Sequence, residues 1–374
     1  MNRRGRRSTT CGLRLSCWAG TLGIAGLIGA GSLSYAQSAI PSASPARLAE
    51  SDGEVSTTLD VLSFNIEGLG WPARRNRAAS LRRIAATLAD LRERGSAPDV
   101  VLLQEVFSST AVRAVTDAGY PYRAWGPSRT QRRRLPVSDR RPEPARWLKG
   151  EAGLHVVGSG LAILSRHPIV AVESEPFGTK RCAGYDCLSN KGVQFAQVIL
   201  PGVPQPIALF NTHLNSQGSS GVPAARSGAA HALQVDDVAR FTRIVADAGT
   251  PAILGGDFNM RNSRPRMERF DEDITSFTMV RRFCVTNPSA CDVKMSWDGD
   301  EPWMDTQDLQ LFRNGALVTI TPIKVEAMFD GSVASPKLSD HDGFRVTYRL
   351  TWRRGVPRPA RSGAASHLSP PVSP

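Results

Sequence analysis

One stretch decides the fold: Pro251-Ala252-Ile253-Leu254-Gly255-Gly256-Asp257-Phe258-Asn259. It predicts a short buried strand that ends in a carboxylate and a carboxamide two residues apart. Residues i and i+2 of an extended chain lie on one face, so Asp257 and Asn259 can approach the same substrate oxygen or ion. Because an aspartate can also cap a turn, this segment alone leaves a purely structural role open.

Three other segments share this form, an apolar run with polar side chains at its end. They cover residues 59–67, 99–106 and 207–215. The run at 99–106 is continuously apolar, as expected of a strand covered on both faces, and a last strand is predicted over 344–350. Polar groups at the ends of several buried strands indicate one shared cleft. The polar residues concerned are Asn65, Gln104, Glu105, Asn211, His213, Asn215, Asp340 and His341.

The residue types in this set favour a hard divalent cation. Asn65 and Glu105 offer oxygen ligands, and neither belongs to a cluster of cysteines or histidines. Such ligands favour Mg²⁺, or Mn²⁺, over Zn²⁺. A divalent ion with few protein ligands keeps coordination positions free for phosphate oxygens.

Asp340 and His341 are a candidate pair of orienting carboxylate and general base. Adjacency does not establish contact, because neighbouring side chains of a strand point to opposite faces. If a turn redirects them, His341 becomes a base with a pKa near neutral, while the metal and His213 stabilise charge on phosphoryl oxygens. The set predicts metal-assisted phosphoester hydrolysis. Each residue alone could be structural, but four strand-end segments together favour catalysis.

In their order along the chain these motifs resemble the endonuclease/exonuclease/phosphatase superfamily from about Leu59 to Thr351. The resemblance implies a four-layer α/β sandwich, in which two packed mixed β-sheets are flanked by helices. The motifs are Asn65, Gln104-Glu105, Gly160–Ile169, Asn211–Leu214, Gly255–Asn259 and Ser339–His341.

The resemblance also implies roles for the site residues. Asn65 and Glu105 bind the divalent metal, and His213 contacts the scissile phosphate. Asp257 and Asn259 position or activate the water. The base dyad is formed by Asp340 and His341. The family's leucine-aspartate-tyrosine strand has only an approximate equivalent here, which gives Asp308 as a candidate catalytic residue and Asp305 as its alternative.

A further segment, Leu188–Ala196, looks like the Ser-or-Asn-Lys-Gly signature of secreted and neutral sphingomyelinases. It contains Asn190-Lys191-Gly192 and lies between the motifs around Ser165 and His213, in the order of that branch. An exposed lysine before a strand is usually only solvated, so the dipeptide is weak evidence by itself. The order of motifs favours a phospholipid phosphodiesterase that cleaves sphingomyelin to ceramide and phosphocholine.

A secreted, DNase-like endonuclease is the main alternative. A net charge of +12 suits a polyanionic ligand. The charge is concentrated in residues 1–36, with +5, in the Arg-rich stretch 129–149, with +6, and in the tail from Arg353, with +4; the remainder carries −3. The predicted catalytic body is therefore not basic. The stretch 129–149 is predicted to be an exposed loop that can touch nucleic acid, anionic lipid or nothing.

A non-catalytic binding module of the same fold is a minor alternative, which retention of both the dyad and Glu105 opposes. For partners we expect a phospholipid substrate at a membrane surface, with nucleic acid as the alternative. No protein partner is predicted, and the protein is expected to be a monomer.

The N-terminus predicts export. Arg3, Arg4, Arg6 and Arg7 precede a short apolar run, and Ser34-Tyr35-Ala36 has the small-x-small form of a signal-peptidase site. We expect a signal peptide over residues 1–36 and a periplasmic or secreted protein, with an uncleaved anchor as the alternative.

Four cysteines remain after removal of this signal peptide, and four cysteines allow three pairings. Sequence proximity and an oxidising destination favour two small loops, closed by Cys182 with Cys187 and by Cys284 with Cys291. Neither spacing comes with matching histidines, so a zinc site is not expected.

Two helices are predicted from apolar residues at helical spacing, over 73–94 and 224–246. The expected organisation is a polar leader over 37–58, one catalytic domain over 59–352 and a disordered tail over 353–374. Trp297 and Trp303 lie in a polar, acidic stretch. With Trp147 they are candidates for insertion at a membrane interface, and burial of the tryptophans is the alternative.

Overall fold

The computed structural model describes residues 48–51, 53–71, 73–136, 144–304 and 306–355. The predicted signal peptide and nearly all of the C-terminal tail lie outside these residues. The regular elements are strands β1 (Ala49–Ser51) and β2 (Glu54–Asn65), helix α1 (Arg77–Glu93), β3 (Val100–Gln104), α2 (Ser109–Asp117), β4 (Tyr122–Trp125), β5 (Ala162–Ser165), β6 (Ile169–Pro176), β7 (Gly192–Val198), β8 (Ile207–His213), α3 (Ala224–Val245), β9 (Ala252–Asp257), α4 (Arg264–Asp273), β10 (Thr278–Met279), α5 (Val280–Thr286), β11 (Asp292–Val293), β12 (Asp308–Arg313), β13 (Thr319–Met328) and β14 (Gly343–Arg353).

Two mixed sheets form the body of the molecule, as the family resemblance implied. The first has the order β11-β13-β14-β2-β3-β5-β4, with β1 paired to β2, and the second has the order β10-β12-β9-β8-β7-β6. In the first sheet β2 and β3 are parallel, and in the second β8 and β9 are parallel. The remaining neighbours of these four strands are antiparallel to them.

The alternation of side chains along β3 explains its continuous apolar run. Val100 and Leu102 belong to the core between the two sheets, whereas Val101 and Leu103 belong to a second core beneath α1 and α2. Both faces of the strand are therefore buried, so no polar residue is needed within it. On the other sheet, α3 buries Val235, Val238 and Phe241 in the larger core.

Buried amides join the two sheets close to the predicted cleft. Gln104 donates from Nε2 to Oδ1 of Asn211 at 2.7 Å, and Asn211 donates from Nδ2 to the carbonyl oxygen of Leu103 at 2.9 Å. Each sheet thus satisfies a buried polar group of the other, which a wholly apolar interface would not require. These two strand-end amides are structural and fix how the sheets meet.

Most local predictions agree with the structure. The first predicted helix begins four residues later, at Arg77, and the second spans Ala224–Val245. Both favoured disulfides are present, with Cα–Cα distances of 5.3 Å for Cys182–Cys187 and 5.4 Å for Cys284–Cys291. The leader boundary differs, because β2 begins at Glu54 rather than at position 59 and pairs with β14 along its length.

Candidate active site

The strand-end residues meet at one edge because of the strand directions. Parallel β2 and β3 both end there, with Asn65 opposite Gln104, and parallel β8 and β9 end there with His213 opposite Asp257. Antiparallel β12 starts at the same edge, where Asp308 lies opposite Asp257. The edge therefore collects the ends of four strands and the start of a fifth.

Asp257 is the centre of this cluster. Its Oδ2 accepts a hydrogen bond from Nδ2 of Asn65 at 3.0 Å and lies 3.3 Å from Nε2 of His213 and 3.8 Å from Nε2 of His341. Its Oδ1 accepts from the backbone N–H of Asn259 at 3.0 Å. The predicted site residues that belong to this connected set are Asn65, His213, Asp257, Asn259 and His341, with Glu105 joined through Asn65. Asp340 does not belong to it.

A glycine makes the approach of β9 to β8 feasible. Gly256 has φ +149, and a Cβ at this position would lie 2.1 Å from the carbonyl oxygen of Thr212. No side chain fits there without displacement of the backbone. The close approach sets Asp257 directly beside His213 at the ends of the two strands.

His341 is paired with Asp308, and the predicted dyad of Asp340 and His341 is wrong. Nδ1 of His341 and Oδ2 of Asp308 are 2.6 Å apart, and the Asp308 side chain is fully buried. The Asp340 carboxylate is 51 % exposed and lies 3.5 Å from Nη2 of Arg74. The cause is the backbone: consecutive side chains point in different directions, whereas β12 brings a remote carboxylate under the imidazole. The alternative Asp305 lies outside the described residues.

The two carboxylates near His341 control its charge. Burial lowers the pKa of this imidazole, but the negative charges of Asp257 and Asp308 outweigh burial and raise the pKa to about 10. Burial raises the pKa of Asp308 to about 6, against the effect of His341. The two carboxylates therefore favour the imidazolium at neutral pH, whereas the sequence led to the expectation of a near-neutral base.

Lys191 is a site residue whose placement the sequence analysis underestimated. Its ammonium is buried, and Nζ lies 3.0 Å from Nε2 of His213 and donates to the carbonyl oxygen of Leu214 at 3.2 Å and to Asp186. Burial and the charge of Lys191 lower the pKa of His213 well below its usual value, so His213 is neutral. The lysine of the Asn190-Lys191-Gly192 segment thus carries a desolvated positive charge into the cluster.

The disulfide loop contributes to this arrangement. Asp186 lies inside the loop that Cys182 and Cys187 close, and its Oδ2 accepts from the backbone N–H of Ser216 at 3.3 Å. Asn215, another strand-end amide, accepts at Oδ1 from the backbone N–H of Ala183 at 2.8 Å. The role of Asn215 is therefore to hold the loop against the end of β8.

Asn65 and Glu105 form a set of groups that fits a divalent cation. Nδ2 of Asn65 bridges Oε1 of Glu105, at 3.2 Å, and Oδ2 of Asp257. Burial raises the pKa of Glu105 to about 7, against the effects of Lys191 and Asn65, and Asp257 adds to the rise. A hard divalent cation would stabilise the negative charges of these two desolvated carboxylates, which share one amide. Within the described residues no group of three or more His, Cys, Asp or Glu side chains is arranged to hold an ion.

Arg266 is a positioning residue that sequence reasoning missed. It is buried on α4 and donates to the carbonyl oxygens of Asn215 at 2.6 Å and Asn259 at 3.0 Å, and to Ser216 and Ser227. Asn259 has φ +50, a left-handed conformation that a non-glycine residue adopts at a cost. The guanidinium holds this backbone in place, and the Asn259 side chain donates from Nδ2 to the carbonyl oxygen of Leu214 at 3.0 Å.

We expect Arg266→Lys to lower kcat by roughly 10- to 100-fold with a smaller change in KM, because an ammonium cannot reach four acceptors in two loops and small displacements of catalytic groups are costly. Steady-state kinetics with a soluble phosphodiester measures this effect. Arg282→Lys is the matched control, since Arg282 pairs with Asp271 on the surface and should leave kcat unchanged. Equal kinetics of both variants would contradict the positioning role.

The sequence matches the family model described as "Endonuclease/Exonuclease/phosphatase family" over residues 62–341. None of the curated protein sequences matches the chain. Solved structures with a similar fold include a mutant of beta toxin from Staphylococcus aureus with bound magnesium ions, at 17 % identity and a TM-score of 0.53, over 78 % of this chain and 99 % of that one.

Two other solved structures extend the range of similar folds. Sphingomyelinase C from Streptomyces griseocarneus is 21 % identical, with a TM-score of 0.50 over 78 % of this chain and 99 % of that one. D. rerio TDP2, complexed with a single-strand DNA product, is 16 % identical, with a TM-score of 0.52 over 78 % of this chain and 98 % of that one. At these identities the similarity establishes the fold alone. Together with the model match over most of the chain and the cluster around Asp257, it leads to one assignment: the chain belongs to the endonuclease/exonuclease/phosphatase family and is a metal-dependent phosphoric diester hydrolase.

Proposed function

We propose that this protein is an exported, Mg²⁺-dependent phosphodiesterase that hydrolyses a phospholipid of the sphingomyelin type. The observation that carries the proposal is the position of Lys191. It belongs to the segment that resembles the sphingomyelinase signature, and it is buried within 3.0 Å of His213 rather than solvated. A buried ammonium beside a neutral imidazole carries one positive charge in total, which matches the single negative charge of one phosphodiester.

Export is supported by the two disulfides, which persist in oxidising compartments. The basic, apolar and small-x-small order of residues 1–36 supports the same conclusion. The destination that follows is the periplasm or the medium. Some of the similar solved structures are bacterial sphingomyelinases, a likeness that fits this destination.

The residues around Asp257 supply the groups that hydrolysis needs. His341 can act as the base only in its neutral form: a water molecule attacks phosphorus, its proton then passes to Nε2 of the neutral imidazole, and Asp308 stabilises the resulting imidazolium. Lys191 and neutral His213 stabilise the charge that grows on the phosphoryl oxygens. The bond between phosphorus and the lipid oxygen breaks and the leaving alkoxide takes up a proton from solvent, which gives ceramide and phosphocholine from sphingomyelin. Asp257 and Asn259 orient the water.

Asn65 and Glu105 would hold the cation, with Mn²⁺ as an alternative to Mg²⁺. A divalent cation there supplies positive charge that stabilises phosphoryl oxygens and offsets the carboxylate of Asp257, whose charge raises the pKa of His341. On Asn65 the side-chain oxygen, which accepts from the backbone N–H of Glu67 at 3.0 Å, would be the ligand atom.

A substrate panel tests the proposal. Purified protein with Mg²⁺ is expected to release phosphocholine from sphingomyelin faster than from phosphatidylcholine and to leave plasmid DNA intact. Cleavage of DNA without lipid turnover would instead identify a secreted endonuclease. Turnover of no phosphodiester would favour the non-catalytic binding module.

We expect Lys191→Met to lower the turnover of sphingomyelin by about 10²-fold, because one preorganised donor is lost from the phosphate site. Lys180→Met is the control, since Lys180 is exposed. Full activity of Lys191→Met would show that Lys191 does not act on the phosphate, and the lipid assignment would lose its main support.

A further inference from the structure

An exposed apolar surface lies beside the segment that carries Lys191. Trp147 is 75 % exposed, Leu148 97 %, Leu154 75 % and Val156 63 %, and Tyr185 adds a half-exposed ring. We call these five side chains the 147–156 patch, after the segment that carries four of them. Single exposed apolar residues need no explanation, but several on one short segment mark an interaction surface.

The patch is presented by a rigid support. Glu151 is buried, and its carboxylate accepts hydrogen bonds from the backbone N–H groups of Arg146 at 2.6 Å and Gly184 at 2.8 Å and pairs with Arg226. A Cβ on Gly150 would lie 3.0 Å from Leu188, so the turn packs tightly on the disulfide loop. The exposure of Trp147 and Leu148 is therefore a property of a fixed turn.

The chain then returns along the catalytic segment. The backbone N–H of Val156 donates to the carbonyl oxygen of Leu188 at 2.6 Å, and Val157 forms a parallel bridge with Ser189. Ser189 is two residues from Lys191, whose ammonium contacts His213. The apolar patch therefore lies next to the part of the chain that leads directly into the active site.

Basic side chains accompany the patch. Lys149 lies over the ring of Tyr185 at 5.4 Å, and Arg146 is exposed. Arg129 and Arg132 are exposed on the segment whose carbonyl oxygens, at Ser128 and Gln131, accept from Nδ2 of Asn190. Indole and aliphatic side chains with adjacent cations match the boundary between acyl chains and anionic headgroups.

The other candidate tryptophans fit this role less well. Trp303 is 5 % exposed, which rules it out as an inserting side chain. Trp297 is 63 % exposed but donates from Nε1 to the carbonyl oxygen of Asp330 at 2.5 Å. Insertion would break or strain that hydrogen bond. None of the described helices is long and apolar enough to cross a bilayer.

We propose that the 147–156 patch inserts into the surface of a bilayer that contains anionic lipid, and that it thereby places the cleft against its lipid substrate. The proposal deepens the proposed function and rests on it. Insertion of Trp147 and Leu148 supplies the apolar attraction, while Lys149, Arg146 and the arginines near Asn190 supply the preference for negative charge.

Vesicle cosedimentation tests this proposal with the full-length purified protein. We expect binding to phosphatidylcholine vesicles that contain phosphatidylserine, weaker binding to pure phosphatidylcholine, and weakening by salt of the binding to the anionic vesicles. Leu148→Asp should reduce vesicle affinity by about 10-fold or more, given the apolar burial that it removes. Val333→Asp changes a fully exposed valine elsewhere and should bind as the unmodified protein does.

Hydrolysis of a soluble phosphodiester, bis(4-nitrophenyl) phosphate, separates this surface from the catalytic site. Leu148→Asp should hydrolyse it at the unmodified rate but turn over sphingomyelin vesicles more slowly. If Leu148→Asp and Val333→Asp bind vesicles alike, or if the patch binds DNA and not vesicles, the proposal is overturned. If vesicle binding depends on Leu148 while no phosphodiester is hydrolysed, the surface stands and the proposed function fails.

Discussion

Asp308→Asn is expected to lower kcat by about 10²- to 10⁴-fold, the range for loss of effective general acid–base catalysis. The substitution keeps the shape of the side chain but removes the carboxylate that lies 2.6 Å from Nδ1 of His341. Asp340→Asn should cost much less, because that half-exposed carboxylate makes a long ion pair with Arg74 and accepts a long hydrogen bond from Ser339. The two variants therefore separate the partner of His341 from its sequence neighbour.

The pKa of His341 provides an independent readout of the same change. In the cation-free protein the carboxylates of Asp257 and Asp308 raise this pKa to about 10. Removal of one negative charge favours the neutral imidazole, so Asp308→Asn must lower the pKa, and NMR titration of the imidazole measures it. If Asp340→Asn lowers both kcat and this pKa more than Asp308→Asn does, the dyad has been assigned incorrectly.

Glu105→Gln is expected to abolish Mg²⁺-dependent turnover, with a loss of about 10³-fold or more, since a bound metal supplies several kcal/mol of transition-state stabilisation. The substitution keeps the size of the side chain and removes the charged oxygen ligand. Isothermal titration calorimetry should show that Mg²⁺ binding is lost as well. Glu173→Gln is the control, because that glutamate pairs with exposed Arg134 on the surface.

The same site predicts a pH dependence of cation binding. Burial raises the pKa of Glu105 to about 7 in the cation-free protein. A proton and a cation compete for this carboxylate, so the affinity for Mg²⁺ should fall as the pH drops through 7 and rise above it. A Mg²⁺ affinity that stays constant between pH 6 and 8, or full activity of Glu105→Gln, would show that Glu105 is not a metal ligand.

The fold and the cleft could be predicted because the relevant information is local. Each buried strand has a continuous or alternating apolar pattern, and its polar residues lie at one end, as in the segment that ends at Asp257 and Asn259. Parallel strands then bring these ends to a common edge, so Asn65, Glu105 and His213 need only the strand directions to meet. The two short disulfide loops are local for the same reason.

The partner of His341 could not be predicted because it depends on a long-range register. Asp308 reaches His341 only through the antiparallel pairing of β12 with β9, where Asp308 lies opposite Asp257. The adjacent pair of Asp340 and His341 suggested a contact that the backbone does not allow. An indication in the sequence was the stretch Leu309-Gln310-Leu311-Phe312, which begins directly after Asp308.

Lys191 and Arg266 show a second limit of predicting the site from the sequence. A lysine before a strand and an arginine in a helix are usually solvated. The signature around Lys191 indicated a branch of the family but not the burial of the lysine, and nothing in the sequence singled out Arg266. The burial of Lys191 depends on contacts with His213 and Leu214, and that of Arg266 on a contact with Asn215, all of which are remote in sequence.

Hydrolysis in water enriched in oxygen-18 tests most directly whether this cleft activates water for attack on phosphorus. Purified protein with Mg²⁺ and sphingomyelin vesicles is expected to place the label in phosphocholine and none in ceramide, because the bond between phosphorus and the lipid oxygen is the one that breaks. Label in the ceramide hydroxyl, or unlabelled products formed at the full rate, would contradict the account.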